Sequence, residues 1–352
     1  MNLPLNQEQI MIREMIRGFA RSEIEPVSQE YNIKGEYPEA IIKKLGGLGL
    51  FGMMVPECYG GSDAGAVSYC LALQEIAYSC ASIAVTLSVT NLTSEPILNF
   101  GSEEQKRRFL IPMSSGEYIG SFALTEPGVG SDPSGINTSA VKSGDKYILN
   151  GSKQFITNGS YAGLFLMIAR TSPGRNGLSA FILPKGTKGL KIGKEENKMG
   201  LKIALNALDS GRIGIASQAV GMIRACFDEA VDYAMGRIQF GKVIIKHQSI
   251  QNMIADILVD YEASSLLTWN AASLKDKKKS FSKEASIAKL FSTESLNRCA
   301  YKALQIFGGY GYTKEYKIER IYRDARVTTI YEGTSEIQRI VISREAEKIV
   351  HN

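Results

Sequence analysis

A block of short alternating strands, bounded on both sides by helical periodicity, is the feature that most limits how this chain can fold. From Gly120, Phe122 and Leu124 alternate with small residues, and KYILNGSKQFITNG carries two Asn-Gly turn signals. LFLMIA and LSAFILP follow as apolar runs bounded by Gly, Pro and Ser. Before this block, residues 37–48 and 64–98 carry Ala, Leu and Ile at three- and four-residue spacing. After Lys202 the stripes return: Ile250, Met253, Ile254, Ile257, Leu258 and Tyr261 share one face of residues 246–272, and residues 281–307 and 335–350 do likewise. Such stripes read first as packing faces. The expected architecture is a multi-domain α+β chain: an N-terminal helical domain over 1–119, a middle β domain over 120–200 and a C-terminal helical domain over 201–352.

Local signals support that division. Asn6 and Gln9 form a capping box for the first helix, with Leu5 placed to staple onto Ile10, and Ser102 with Gln105 repeats the box. At 352 residues, two or three substructures are expected. The formal charge of +5 is too small for a nucleic-acid footprint, and the basic run Lys275–Lys279 reads as a solvated loop. No apolar run is long enough to span a bilayer, and charges interrupt the first helix too often for a signal peptide, so an intracellular protein without membrane insertion is expected. The five cysteines lack CxxC spacing and read as buried reduced thiols. With only His247 and His351, a histidine-based zinc site or a Ser-His-Asp triad has almost nothing to draw on, and no metal is expected. Catalysis must then use a carboxylate or a cofactor.

Six segments carry residues suited to chemistry. FALTEPGVGSD (Phe122–Asp132) alone reads as an ordinary turn, although Gly128 and Gly130 permit close approach of a ligand. QFITNG contributes Phe155 and Thr157, and the aromatic reads equally well as β core. LDSGRIGIASQAVG (Leu208–Gly221) sets Asp209 and Arg212 at the spacing of a surface ion pair, and GRIQFG (Gly236–Gly241) places Arg237 at a helix end. QIFGGYGY (Gln305–Tyr312) is compatible with a helix C-cap and is not the GxGxxG fingerprint of a nicotinamide fold. In IYEGTSEIQ, Glu332 lies on a turn from which a side chain can project into a cleft, and Ser335 with Gln338 is set to cap the last helix.

Together these segments resemble the acyl-CoA dehydrogenases, flavoenzymes that desaturate acyl thioesters between the α and β carbons, and the resemblance spans nearly the whole chain. It implies a barrel-like middle β domain, a C-terminal four-helix bundle, and a homotetramer with FAD near a subunit interface. It implies FAD contacts for Phe122, Leu124, Thr125, Ser131, Phe155 and Thr157, and for Thr334 and Glu336. Arg237, Phe240, Gln305, Gly308 and Gly309 match residues that reach the FAD of the neighbouring subunit. Acyl-CoA falls to Ser131, to Asp209, Ser210, Gly211 and Arg212, and to Tyr331 and Gly333.

Glu332 matches the catalytic base. Some members place a glutamate just before the arginine matching Arg212, where this chain has Gly211, so Glu332 has no obvious rival. The resemblance implies that Glu332 takes the α proton while the flavin accepts the β hydride. The Glu332 N–H and the ribityl chain of FAD would hold the thioester oxygen, and electrons would pass to an electron-transferring flavoprotein. LDSGRIGIASQAVG with Glu332 most resembles the short-chain, butyryl-CoA type. An acyl-CoA oxidase, or a non-catalytic flavin- or acyl-CoA-binding homologue, is the competing reading. A bacterial cytoplasm is the expected compartment, with a mature mitochondrial form as the alternative.

The chain departs from the family at one place. Between NKMGLK (Asn197–Lys202) and IALNALDSGRIGIA, the family has roughly thirty more residues, which supply a strand and the lead into a long helix. Loss of a paired strand exposes an edge and opens an apolar gap, so a stable, active protein is expected to carry that segment.

Overall fold

The computed structural model of the chain describes residues 5–174, 177–193 and 209–350, with side chains through residue 347. The junction around Asn197–Lys202 lies outside the described residues.

The N-terminal part is helical: α1 (Gln7–Phe19), a π-helical turn (Ala20–Ile24), α2 (Glu25–Lys34), α3 (Glu39–Gly47), α4 (Gly65–Ser79), α5 (Ala81–Phe100) and α6 (Glu103–Ser114). Both expected capping boxes form: Asn6 caps α1 reciprocally with Gln9, and Ser102 caps α6 reciprocally with Gln105. The single apolar stretch read over 64–98 is two helices, because Cys80 takes an extended conformation (φ −156°, ψ 110°) between α4 and α5. No Gly or Pro marks that break, so periodicity alone runs through it.

Among the described residues the middle part is a mixed sheet of β1 (Gly120–Ala123), β2 (Ser139–Ser143), β3 (Lys146–Asn150), β4 (Leu164–Arg170) and β5 (Leu178–Pro184). β4 is its spine, parallel to β1 from Gly120↔Leu164 to Ala123↔Met167 and antiparallel to β5 from Leu164↔Pro184 to Arg170↔Leu178. β1 is buried at all four positions, and Leu92 of α5 joins the apolar cluster of Phe122, Leu124, Val129, Ile136 and Leu166. That packing fixes the end of β1 against α5.

The C-terminal part holds α7 (Asp209–Gly236), a hairpin of β6 (Ile238–Gln239) and β7 (Lys242–Val243), α8 (Gln248–Asp276), α9 (Ser282–Phe307), α10 (Lys317–Thr328) and α11 (Ser335–Val350). α7, α8 and α9 pack on one another, α10 lies against α7 and α9, α11 against α9, and α4 lies against α7. One core cluster therefore runs from Ile16 through Leu73 and Ile76 to Ile223 and Leu296. Glu75, 2 % exposed, is held by Arg17 at 3.0 Å and Arg224 at 2.7 Å, so its charge crosses the α1, α4 and α7 junction paired. No described helix is long and apolar enough to cross a membrane. Cys70, Cys226 and Cys299 are buried as free thiols, whereas Cys58 is exposed, against the expectation of burial, because it lies in a short surface 3-10 turn.

The cap of α11 also differs from expectation. Thr334 Oγ1, and not Ser335, accepts from the N3 amide of Ile337 at 3.4 Å. Ser335 Oγ donates instead to Glu294 at 2.6 Å, and the Gln338 side chain turns back to the carbonyls of Glu332 and Gly333 at 3.1 and 3.0 Å.

Candidate active site

Three elements meet at Glu332. The turn after α10 gives Glu332 a positive φ of 52° and Gly333 one of 84°, a left-handed pair whose strain the surrounding contacts must hold. Tyr331, 1 % exposed, anchors it from one side by donating its hydroxyl to Gln218 of α7 at 2.7 Å. The Glu332 carboxyl, in a residue 2 % exposed, lies over the first turn of α7: a Cβ on Gly211 would stand 2.5 Å from Glu332 Oε2 and 3.4 Å from Leu92 Cδ1. Because Leu92 also packs with Phe122 and Leu124, the end of β1, α5 and the Glu332 turn converge on one locus.

The second group sits at the end of β1. Gln154 N donates to Thr125 O at 2.9 Å, Ser121 Oγ donates to Thr157 O at 2.5 Å, and Asn158 Nδ2 donates to Gly120 O at 2.9 Å. These bonds tie QFITNG to FALTEPGVGSD. Phe155 and Asn158 hold positive φ of 60° and 63°, which turns the Phe155 ring outward at 36 % exposure while Thr157 stays buried. The loop is braced beneath by Glu126, which accepts from Lys153 at 2.8 Å and from the amides of Asn137 and Thr138 at 2.7 and 2.9 Å. Burial pushes the Glu126 carboxyl up, but these hydrogen bonds outweigh it and hold it at about 2. Ser131 lies exposed beyond the loop.

This region fits a flat, polar-edged ring. The Thr125 hydroxyl is buried without a hydrogen-bond partner in the chain, and nothing stands within 4 Å of a Cβ added at Gly128 or Gly130. A donor or acceptor on a bound group would satisfy Thr125, and the two glycines leave room for close approach.

The third group is the start of α7. Asp209 and Arg212 do form an ion pair, at 2.5 Å, and Arg212 Nη1 also donates to Ser286 at 3.2 Å. Arg212 is buried, and its Nε has no partner. Ser210 donates to Glu95 at 2.9 Å, and Lys275 pairs with the same carboxylate at 2.9 Å. A cavity of about 300 Å³ runs beside these residues, lined by Gly211, Leu92, Asn91, Ser88 and Tyr69. One turn further along α7 the helices pack closely: a Cβ on Gly214 would stand 2.6 Å from Ser88 Oγ and 3.6 Å from Tyr69 Oη.

Five expected residues gather elsewhere. Arg237 lies over the Tyr310 ring at 5.6 Å, which brings GRIQFG and QIFGGYGY to one face. Phe240 is 92 % exposed at the hairpin turn, and Gln305, Gly308 and Gly309 are exposed at the end of α9. Gln305 and Lys289, whose ammonium touches Gly333, are separated by roughly 24 Å along α9. One chain therefore does not bring this group to Glu332. Thr334 is occupied as the α11 cap, and Glu336 is exposed in the first turn of that helix.

Reading the sequence for motifs missed Lys289, Tyr69 and Ser88, and gave Gln338 a capping role in place of its bonds to the Glu332 turn. Lys289 is completely buried and its Nζ donates to Gly333 O at 2.7 Å. Its signal was a lone lysine on the small-residue stripe of Ala285, Ser292 and Leu296, all buried.

Three family models match the chain: acyl-CoA dehydrogenase N-terminal domain over residues 6–117, middle domain over 121–208 and C-terminal domain over 198–347. The human mitochondrial short-chain specific acyl-CoA dehydrogenase is 44 % identical over 364 residues, covering 95 % of this chain and 88 % of that protein. That alignment is longer than the 352-residue chain, so the relative carries residues without a counterpart here. Butyryl-CoA dehydrogenase of Megasphaera elsdenii has a similar structure, with a TM-score of 0.93 at 38 % identity, covering 98 % of this chain and 100 % of that one. A chain in a structure described as the electron transferring flavoprotein of Acidaminococcus fermentans gives a TM-score of 0.94 at 39 % identity, covering 98 % and 99 %.

Proposed function

The chain belongs to the acyl-CoA dehydrogenase family, and from that premise we propose that it converts a short-chain acyl-CoA of the butyryl type to the trans-2-enoyl-CoA. The observation that carries the proposal is the Glu332 carboxyl, buried on a left-handed turn and set over the bare backbone of Gly211. An acyl thioester lying in the cavity beside Gly211 would offer its α carbon to that carboxylate.

Glu332 is the general base, taking the α proton directly. The negative charge that builds on the thioester oxygen needs a fixed donor, and the Glu332 backbone N–H is that donor. Tyr331, hydrogen-bonded to Gln218, and Gln338, holding the turn's two carbonyls, keep the carboxylate in line with the substrate. Burial keeps water away, which favours proton transfer to a carboxylate over its solvation. Asp209, Ser210 and Arg212 orient the thioester and pantetheine part, and the unpartnered Arg212 Nε faces that task.

Phe122, Leu124, Thr125, Ser131, Phe155 and Thr157, with Thr334 and Glu336 at the α11 start, would hold FAD, which when bound would supply the acceptor for the hydride leaving the β carbon. Arg237, Phe240, Gln305, Gly308 and Gly309 serve the site of a neighbouring copy in a homotetramer; their exposure and their distance from Glu332 support that assignment. Likeness to the Acidaminococcus fermentans structure supports an electron-transferring flavoprotein as the partner. A bacterial cytoplasm, or the matrix for a mature mitochondrial form, is the compartment.

Anaerobic titration of the FAD-loaded protein with acyl-CoA thioesters of increasing length tests this reading. Butyryl-CoA is expected to bleach the flavin absorbance fastest, and the product to be the 2-enoyl-CoA. Absence of bleaching with every length would overturn it.

A further inference from the structure

Lys289 is the one lysine among the described residues that is completely buried, and it sits directly beneath the turn that carries Glu332. Its Nζ donates to Gly333 O at 2.7 Å, while Gln338 Nε2 donates to the same oxygen at 3.0 Å. A buried ammonium is costly unless it is paired and hydrogen-bonded, and hydrophobic packing along α9 would accept a Met there without that cost. The charged groups facing it are Glu332 from the turn, Arg212 from α7, Glu294 from its own helix and Glu336 from α11.

We propose that Lys289 is a positioning residue for proton abstraction: its ammonium clamps the Gly333 carbonyl, holds the left-handed Glu332–Gly333 turn in its productive form, and sets a positive charge beside the base. The inference rests on Glu332 being that base. The turn needs such a clamp because Glu332 holds a φ of 52° that a non-glycine residue leaves unless restrained. Two buried donors on a single carbonyl from α9 and α11 supply the restraint, and only the α9 donor carries charge. Burial, with a smaller push from Arg212, outweighs the pull of Glu332, Glu294 and Glu336 and holds the Lys289 ammonium down at about 7. A positive neighbour favours the ionised carboxylate, so removing it moves the acid limb of the rate profile to higher pH.

The FAD-loaded protein with Lys289→Met, Lys289→Gln or Glu332→Gln is compared with wild type in three measurements. These are kcat and KM against pH, exchange of the butyryl-CoA α proton with deuterated solvent, and amide deuterium exchange over residues 331–335 without substrate. Lys289→Met is expected to lower kcat and α-proton exchange about tenfold with KM little changed, and to speed amide exchange in the turn. Lys289→Gln keeps a donor, so the turn stays protected, yet its acid limb moves up by about half a pH unit or more. If Lys289→Met does not fold, Lys289→Gln decides the matter by its pH profile alone. Unchanged profiles and unchanged turn protection in the Lys289 variants, with α-proton exchange abolished in Glu332→Gln, would overturn the role of Lys289 and leave the base intact. Persistent exchange in Glu332→Gln would instead overturn the base assignment.

Discussion

Glu332 Oε2 lies 2.5 Å from the point where a Cβ on Gly211 would stand, so the carboxylate occupies the volume that any side chain at 211 would need. The two positions exclude one another, and glycine at 211 is the condition for the carboxylate to hold its place over the first turn of α7. Gly211→Ala should therefore displace Glu332 while leaving α7 helical, since alanine favours a helix by about 0.8–1.0 kcal/mol over glycine. Turnover is expected to fall by about tenfold or more with thermal stability nearly unchanged. Steady-state kinetics beside a melting curve checks this; normal kcat in the variant would show that Glu332 works from another position.

The cavity floor should set acyl length. Tyr69 and Ser88 line it beside Gly211. Tyr69→Ala opens room for several methylenes, each contributing about 0.8 kcal/mol when buried. The preferred substrate is expected to move from four carbons toward six or eight, a gain of roughly tenfold in kcat/KM for the longer thioester. A kcat/KM ladder in which the preference does not move would place the end of the acyl chain elsewhere.

The ion pair under the Thr125 loop predicts a defined pH response. The Glu126 carboxyl is held at about 2 in the fold, below its ordinary 4.5, so it contributes stability above 4.5 that is lost as pH falls toward 2. Glu126→Gln should lower the melting temperature at pH 7 and show a flatter dependence between pH 5 and 3 than wild type. Parallel acid limbs in the two proteins would mean that the pair does not stabilise the fold.

What the sequence disclosed follows from how local each signal is. Capping boxes at Asn6 and Ser102 and the helical stripes of α8 and α9 depend on neighbours within a few residues, and all of them form, except that Leu258 of the α8 stripe faces solvent at 40 % exposure. The α4–α5 break at Cys80 leaves no local mark, since neither Gly nor Pro stands at the extended residue. At the site, Glu332 and Gly211 were legible as a pair because a motif carried each of them. Lys289 was not, because its meaning depends on burial and on a carbonyl 44 residues away. Ser335 and Gln338 were read as a cap from spacing alone, whereas tertiary partners, Glu294 and the Glu332 turn, take both side chains.

The central claim is that one buried carboxylate abstracts the α proton, and Glu332→Gln measures it most directly. The variant keeps the shape and the backbone N–H but cannot accept the proton. With FAD bound and butyryl-CoA added anaerobically, flavin bleaching is expected to slow by about a hundredfold or more while the thioester still binds. Bleaching at the wild-type rate in this variant would contradict the account.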